Sequence, residues 1–191
     1  IYATDATVDL LNVMLLDSAH IQESEALWQN KRRRERSKGT EPDIAPLYTV
    51  AQAQECLKQL DDVAYNVEFK PHDDVRVRFQ DAGHILGSAS IEVWLAENGK
   101  TTKIVFSGDL GQPGRLIVRD PTPIREADVL LVESTYGNRL HKTIADTKLE
   151  LLKAIDETFD KKHGNVIVPA FALGRTQELI FMLLQLTMEG K

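Results

Sequence analysis

The sequence predicts a mixed α/β protein built around one sheet. Hydrophobic residues make up 42% and charged residues 27% of its 191 positions, the composition of an ordinary globular protein that can bury a sizeable core. Residues 75–132 contain alternating or short apolar runs, which are typical of strands, whereas 4–29 and 138–191 are dominated by helical spacing. We therefore expect a strand-rich centre with helices on both sides.

The first helix is predicted over residues 4–29. Thr4 is a suitable N-cap, and apolar residues follow it at intervals of three and four. Residues 31–46 contain the basic run KRRRER followed by a glycine and two prolines. We expect this stretch to be an exposed loop, because glycine and proline interrupt regular structure.

Capping and periodicity predict the remaining elements. Thr49 and Gln52 have the spacing of a capping box, which indicates a helix over 50–60. Strands are expected at 75–79, 91–95, 103–106, 128–132 and 166–168, and further helices at 143–159 and 175–188. The change from strands to a helix–strand–helix pattern predicts a domain boundary that separates 1–137 from 138–191.

Composition narrows the classes of function. The single cysteine, Cys56, excludes a disulfide framework and a thiolate zinc site, so a bound metal would be held by histidines and carboxylates. With 23 basic and 29 acidic residues, the net charge of -6 is unfavourable for nucleic-acid binding through bulk positive charge alone. No apolar run approaches the roughly 18 to 20 residues of a membrane span, and the start lacks the features of a signal peptide. We expect a cytoplasmic protein without a membrane partner.

Three predicted strands are followed by a side chain that can bind a metal or move a proton. His84 follows the first predicted strand, Asp109 the third and Glu133 the fourth. Glycines flank His84 and Asp109. If these strands are neighbours in one sheet, the three side chains converge at its carboxyl edge, where loops are free to build sites. Imidazole and carboxylate suit Zn²⁺ or Mn²⁺.

Each of these residues also has a structural interpretation. His84 could be a hydrogen-bonded loop residue, Asp109 a turn residue, and Glu133 a solvated carboxylate at the end of a strand. Taken one at a time, these interpretations are the simpler ones. The motifs that surround these residues are more specific evidence when they are taken together.

Four motifs in order resemble a known family. They are DAGHILGS at 81–88, FSGDLG at 106–111, ESTYGNR at 133–139 and VPAFALGRTQEL at 168–179. Together they resemble the β-CASP branch of the metallo-β-lactamase superfamily, the RNA-processing nucleases that include the pre-mRNA 3′-end cleavage factor. The resemblance implies an αββα sandwich, incomplete here, that leads into the start of an α/β β-CASP insert.

The same resemblance implies the roles of the site residues. His84 would be a zinc ligand, and Asp109 would bridge two zinc ions, with Mn²⁺ as an alternative metal. Glu133 would orient a histidine that protonates the leaving group. The implied reaction is zinc-dependent hydrolysis of phosphodiester bonds in single-stranded RNA.

The chain also departs from the family pattern. Members carry a His-x-His-x-Asp-His cluster ahead of these motifs, and nothing in residues 1–191 matches it. We therefore expect an internal fragment of a longer protein. His84 and Asp109 are two donors for two metals, whereas a zinc ion needs about four ligands. The chain by itself is predicted to be inactive.

Three further residues are candidates for contact with substrate. Arg175 begins a predicted helix, whose free N–H groups could bind phosphate together with its guanidinium, although it could instead pair with Glu178. His141 and Ser134 lie in or just after the third motif. The basic run within 31–46 is either a solvated loop or a patch that guides RNA.

Other functions stay open. One alternative is a hydrolase of this fold that acts on DNA or on a small ester, although the inserted segments argue against a small substrate. Another is a noncatalytic relative that binds RNA or a partner. A homodimer and a subunit of a processing complex are both compatible with the sequence.

Overall fold

The computed structural model describes residues 1–36, 42–140 and 142–190 and shows a mixed α/β fold, as predicted. Its strands are β1 (Tyr2–Ala3), β2 (Asp61–Asp62), β3 (Glu68–His72), β4 (Val75–Asp81), β5 (Ala89–Glu97), β6 (Lys100–Phe106) and β7 (Val129–Leu131). Its helices are α1 (Asp5–Arg36), α2 (Val50–Leu57), α3 (Ile144–Asp156) and α4 (Arg175–Met188), and a π-helical turn, Glu157–Lys161, continues α3. In these described ranges, no helix combines the length and the apolar character that a membrane span requires.

Strands β3 to β7 form one sheet in sequence order, and β1 and β2 form a separate parallel pair. Neighbouring strands from β3 to β6 are antiparallel, whereas β7 is parallel to β6. Since β4 and β6 are both antiparallel to β5, they run in the same direction. The carboxyl ends of β4, β6 and β7 therefore lie at one edge, which confirms that the predicted strands converge.

One face of the sheet is apolar. Val77 pairs with Val93 and Phe79 with Ile91 across β4 and β5, so the alternating pattern places all four on the same side. The ring of Phe69, on β3, lies 5.3 Å from that of Phe79 and extends the apolar face to the edge of the sheet.

The opposite face is polar and contains a buried charge. Glu92 on β5 is 1% exposed and accepts hydrogen bonds from Arg78 Nε at 2.7 Å and Gln80 Nε2 at 2.9 Å. Lys103 Nζ lies 2.6 Å from the other carboxylate oxygen. The cationic groups of Arg78 and Lys103 also lie 5.1 and 5.2 Å from the centre of the Trp94 ring. Burial of the carboxylate is thus offset by cations from both neighbouring strands.

Helix α1 is longer than predicted. The expected loop over 31–46 is wrong for residues 31–36, which form the last turns of the helix. Arginine and lysine are good helix formers, and basic residues near a helix C-terminus interact favourably with its dipole. The Asn30 side chain also exchanges two hydrogen bonds with the backbone of Ile44, at 2.8 and 2.9 Å, which holds the helix against the segment that follows.

The rest of that predicted loop leads into α2. Residues 42–46 have no regular structure, as expected, and 37–41 lie outside the described residues. The capping box of Thr49 and Gln52 is confirmed, with Thr49 Oγ1 accepting a hydrogen bond from Gln52 N–H at 3.2 Å. Helix α2 ends three residues earlier than predicted.

Two further differences concern short strands. Residues 166–168 were expected to form a strand but are irregular, and Ile167 is 88% exposed. An apolar run becomes a strand only where another strand pairs with it, and the described residues provide none there. Strand β3 was not predicted because it contains Pro71, which is tolerated at the edge of a sheet. Helix α4 matches the predicted 175–188.

Candidate active site

The carboxyl ends of β4, β6 and β7 open onto a cavity of about 740 Å³. His84, Asp109 and Glu133, one after each strand, line this cavity. Ser134 and Arg175 also belong to its lining. The fold therefore brings together, around one space, side chains that are up to 91 positions apart in the sequence.

The loop that carries His84 is closed by one serine. Ser88 Oγ accepts hydrogen bonds from His84 N–H at 3.1 Å and from Ile85 N–H at 3.2 Å. The Ser88 carbonyl accepts hydrogen bonds from Ala82 N–H at 3.2 Å and from the Tyr65 hydroxyl at 2.8 Å. Because the hydroxyl and the carbonyl of Ser88 both accept hydrogen bonds here, the backbone position of His84 is well defined.

The start of α1 holds the same loop from the other side. The Thr4 and Thr7 hydroxyls donate hydrogen bonds to the Gly87 carbonyl at 2.8 and 3.0 Å. Thr4 Oγ1 also accepts a hydrogen bond from Thr7 N–H at 3.4 Å, as the predicted N-cap would. The long helix is thus attached directly to the loop that carries the candidate metal ligand.

Two hydrogen bonds connect the Asp109 loop to the Glu133 loop. Leu110 N–H donates to Glu133 Oε1 at 2.6 Å, and Glu133 N–H donates to Ser107 Oγ at 3.1 Å. The Ser107 hydroxyl in turn donates to the Gly108 carbonyl at 2.7 Å. The separation of the two loops is therefore determined by backbone groups as well as by side chains.

Glu133 is held in its ionised form. Hydrogen bonds from the Thr135 hydroxyl and from Leu110 N–H hold the pKa of Glu133 below its usual range. Across the cavity, His84 Nε2 lies 4.0 Å from Asp109 Oδ2. The side chains of His84 and Asp109 are 43% and 77% exposed, so both can reach a ligand in the cavity.

The donor set fits zinc in kind but is incomplete. Imidazole and carboxylate are zinc ligands, and two donors about 2.1 Å from one ion at a tetrahedral angle lie about 3.4 Å apart. The 4.0 Å between His84 and Asp109 closes to that value with a small movement of an exposed side chain. Within residues 1–36, 42–140 and 142–190, no three His, Cys, Asp or Glu side chains are grouped closely enough to hold one metal ion.

Helix α4 supplies another wall of the cavity. Arg175 is its first residue, and the backbone N–H of the preceding Gly174 donates to Gln177 Oε1 at 2.7 Å. The alternative partner for Arg175 was Glu178, but Glu178 forms its ion pair with Arg115 at 3.7 Å. The pairing between Arg115 and Glu178 joins the loop after Asp109 to α4.

Some contributors were not predicted, and one prediction lies outside the described residues. Ser88 and Ser107 lie within the quoted motifs but were given no role, although a hydroxyl beside a tight turn is a common partner for free backbone N–H groups. Arg115 was also missed, because its ion pair with Glu178 joins residues 63 positions apart. His141 lies outside the described residues, and the chemical roles of the other site residues remain predictions.

Comparison with known proteins agrees with the motifs. No protein-family model matches the chain. It is 36% identical over 152 residues to an RNase J-like protein of Methanocaldococcus jannaschii, covering 78% of the chain and 35% of that protein. It is 29% identical over 183 residues to a ribonuclease of Thermus thermophilus (96% and 36%), and 30% identical over 138 residues to cleavage and polyadenylation specificity factor subunit 3 of Dictyostelium discoideum (72% and 17%).

The chain spans about a third of the length of the first two of these relatives. The matches nevertheless extend over most of the chain itself, and the four motifs occur in one order around one cavity. The chain belongs to the β-CASP branch of the metallo-β-lactamase superfamily.

Proposed function

We propose that the whole protein hydrolyses phosphodiester bonds of single-stranded RNA with the help of zinc. The observation that carries this proposal is the meeting of His84, Asp109 and Glu133 in one cavity of a chain from this family. The relatives named as a ribonuclease and as a cleavage and polyadenylation factor support RNA as the substrate. A cytoplasmic location and membership of a processing complex or a homodimer form part of the proposal.

Each site residue of this chain would have its own role in the reaction. When bound, two zinc ions would lower the pKa of a water molecule and stabilise an in-line displacement at phosphorus. His84 and Asp109 would hold the metal, and Asp109 would serve both ions. Glu133, kept ionised by its hydrogen bonds, would orient the histidine that protonates the leaving oxygen. Ser134, His141 and Arg175 would contact the RNA.

The finer architecture is also a proposal. In an αββα sandwich, the apolar face of this sheet would be covered by a second sheet, and β1 and β2 would be part of that sheet. The Tyr2 ring of β1 supports this, because it lies 4.8 Å from the Phe69 ring of β3. Leu95, Phe106 and Leu131 on the same face are 37%, 41% and 48% exposed, which leaves area for further strands. Residues 138–191 would begin the β-CASP insert.

The test is cleavage of single-stranded RNA by the whole protein and its variants. His84→Ala and Asp109→Ala should each reduce the rate by about 10³-fold or more, because a catalytic metal supplies several kcal/mol of transition-state stabilisation. His72→Ala, at the exposed end of β3, and Asp73→Ala, in the turn that follows, are matched controls and should leave the rate unchanged. Activity that survives in either site variant would show that the metal assignment is wrong, and a preference for single-stranded DNA would show that the substrate is wrong.

A noncatalytic relative that binds RNA is the second candidate. It is favoured by one observation, namely that the described residues contain no group of three metal donors. In that case the whole protein would bind RNA without cleaving it, and His84→Ala would not change the affinity.

A further inference from the structure

The C-terminal end of α1 is strongly basic although the protein is acidic. The last six residues of the helix, 31–36, contain five basic residues and one acid, within a chain of net charge -6. The proposed chemistry at the cavity does not use these residues. As a helix they present their charges in a regular arrangement, which the expected loop would not.

The helix is anchored along one side, and among residues 1–36, 42–140 and 142–190 nothing packs on the opposite side of its last turns. The Asn30 side chain holds the Ile44 backbone, and Val50 N–H donates to Glu23 Oε1 at 3.0 Å. The segment before α2 therefore runs back along α1 on the side of Asn30. Since successive helical residues are rotated by about 100°, Trp28 and Arg32 each lie about 160° from Asn30. They face away from the anchored side.

We call the free side at this end the Trp28 face, which consists of Trp28, Lys31, Arg32, Glu35 and Arg36. Lys31 and Glu35 form its border, because they also line a small cavity with Asn30 and Asp43. All of these residues are exposed, and Trp28 retains 59% of its surface. The Arg32 guanidinium carbon lies 5.1 Å from the centre of the Trp28 ring. The face thus combines three cations and one acid with a large aromatic ring that is open to solvent.

We propose that the Trp28 face binds single-stranded nucleic acid at a second contact, remote from the cavity. Such binding uses cations along the phosphates and aromatic rings on which bases stack, and this face has both. The proposal rests on RNA being the substrate of the cavity. From the Thr7–Gly87 contact to Arg32 there are 25 residues of helix, or about 38 Å. Only a long strand would reach both places.

A different nucleic-acid site on the sheet and a protein partner for α1 are the two alternatives, and both have less support. On the sheet, Arg76, Arg78 and Lys103 surround Trp94, but each of them pairs with the carboxylate of Glu68 or Glu92, which leaves that cluster a net charge of only +1. A protein partner for α1 would make use of apolar side chains along the whole free side of the helix. Met14 and Ile21 lie on the same side about four and two turns before Trp28 and are 48% and 47% exposed, but both are uncharged and lie outside the basic end.

The experiment measures binding of a fluorescent uridine 20-mer to the chain by anisotropy over a range of salt concentrations. The variant Lys31→Ala/Arg32→Ala/Arg36→Ala should raise the Kd about tenfold or more and reduce the log–log salt slope by about 2, the value for three lost phosphate contacts. Alanine favours helix, so α1 should persist, which circular dichroism checks. Trp28→Ala should raise the Kd about tenfold without changing the slope.

The matched control removes three cations elsewhere. Lys58→Ala/Lys100→Ala/Lys153→Ala gives the same net charge and should change the Kd less than threefold. A uridine 5-mer should bind more weakly than the 20-mer, because it cannot reach both the Trp28 face and the cavity. Equal effects of the two triple variants on the 20-mer would overturn the proposal, as would tighter binding to phosphatidylserine vesicles or a larger loss with Ile21→Ala than with Trp28→Ala.

Two further arms complete the test. If a thymidine 20-mer binds as tightly as the RNA, the Trp28 face recognises phosphates and bases. If the RNA binds more tightly, the face also contacts the 2′-hydroxyl groups. His84→Ala should leave the effect of the triple variant on 20-mer binding unchanged. Failure of cleavage by the whole protein would therefore be distinguishable from failure of the Trp28 face.

Discussion

Glu92 is the only charged residue that is buried in the described part of the chain, and it stays ionised there. Burial alone would raise the pKa of Glu92, but hydrogen bonds from Arg78, Lys103 and Gln80 outweigh burial and lower the pKa to about 2. The carboxylate is therefore more favourable in the folded chain than in the unfolded one. Its contribution to stability is complete above about pH 4.5 and is lost as the pH falls towards 2.

Glu92→Gln should therefore destabilise the fold. The amide keeps the shape but leaves Arg78 and Lys103 without their carboxylate, so the free energy of unfolding should fall by about 3 kcal/mol at pH 7, measured by urea denaturation. Glu55→Gln, in the exposed pair with Lys58, removes the same charge and should cost less than about 1 kcal/mol. The Glu92 deficit should shrink as the pH is lowered from 4.5 to 2, and a constant deficit would contradict the assigned pKa.

Between elements, the attachment of α1 to the His84 loop is the most specific contact of the candidate site. Gly87 has φ of +83°, and a Cβ at this position would lie 2.5 Å from Thr7 Oγ1. Gly99, in the β5–β6 turn, has φ of +74° but open space around it. The two glycines share a backbone conformation and differ in their neighbours.

Alanine at these two glycines should separate strain from contact. Gly99→Ala should lower the free energy of unfolding by about 1 to 2 kcal/mol through the positive φ alone. Gly87→Ala should cost at least about 1 kcal/mol more, because the start of α1 must also move. Urea denaturation measures both, and equal losses would mean that α1 is not held tightly against the loop.

For the whole molecule, the number of metal donors limits what the chain can do by itself. His84 and Asp109 come together, but the described residues contain no third donor beside them. An ion held by two protein ligands keeps most of its water and binds weakly.

Calorimetric titration of the 191-residue chain with zinc should therefore show a Kd weaker than micromolar, and His84→Ala/Asp109→Ala should weaken it further. The chain by itself should not cleave RNA. Stoichiometric binding with submicromolar affinity, abolished in the double variant, would show that the chain holds a complete centre.

Elements that depend on residues close in the sequence were predicted correctly, whereas elements that depend on distant contacts were not. The capping box of Thr49 and Gln52 and the bounds of α4 were predicted correctly because they depend on residues a few positions apart. The extension of α1 to Arg36 was missed because it depends partly on Asn30 holding Ile44 across the intervening segment. The strand predicted at 166–168 is wrong because a strand needs a pairing partner, which the local sequence pattern does not reveal.

The sequence by itself determined the strand-rich centre, the glycine-flanked loops and the choice of His84, Asp109 and Glu133, because alternation and motif spacing are local properties. Only the tertiary structure decided how these residues are held: Ser88 closes one loop, and Ser107 and Leu110 join the other two. Those hydrogen bonds connect backbone groups on separate strands. Their partners are selected when the strands align in the sheet, which no local pattern specifies.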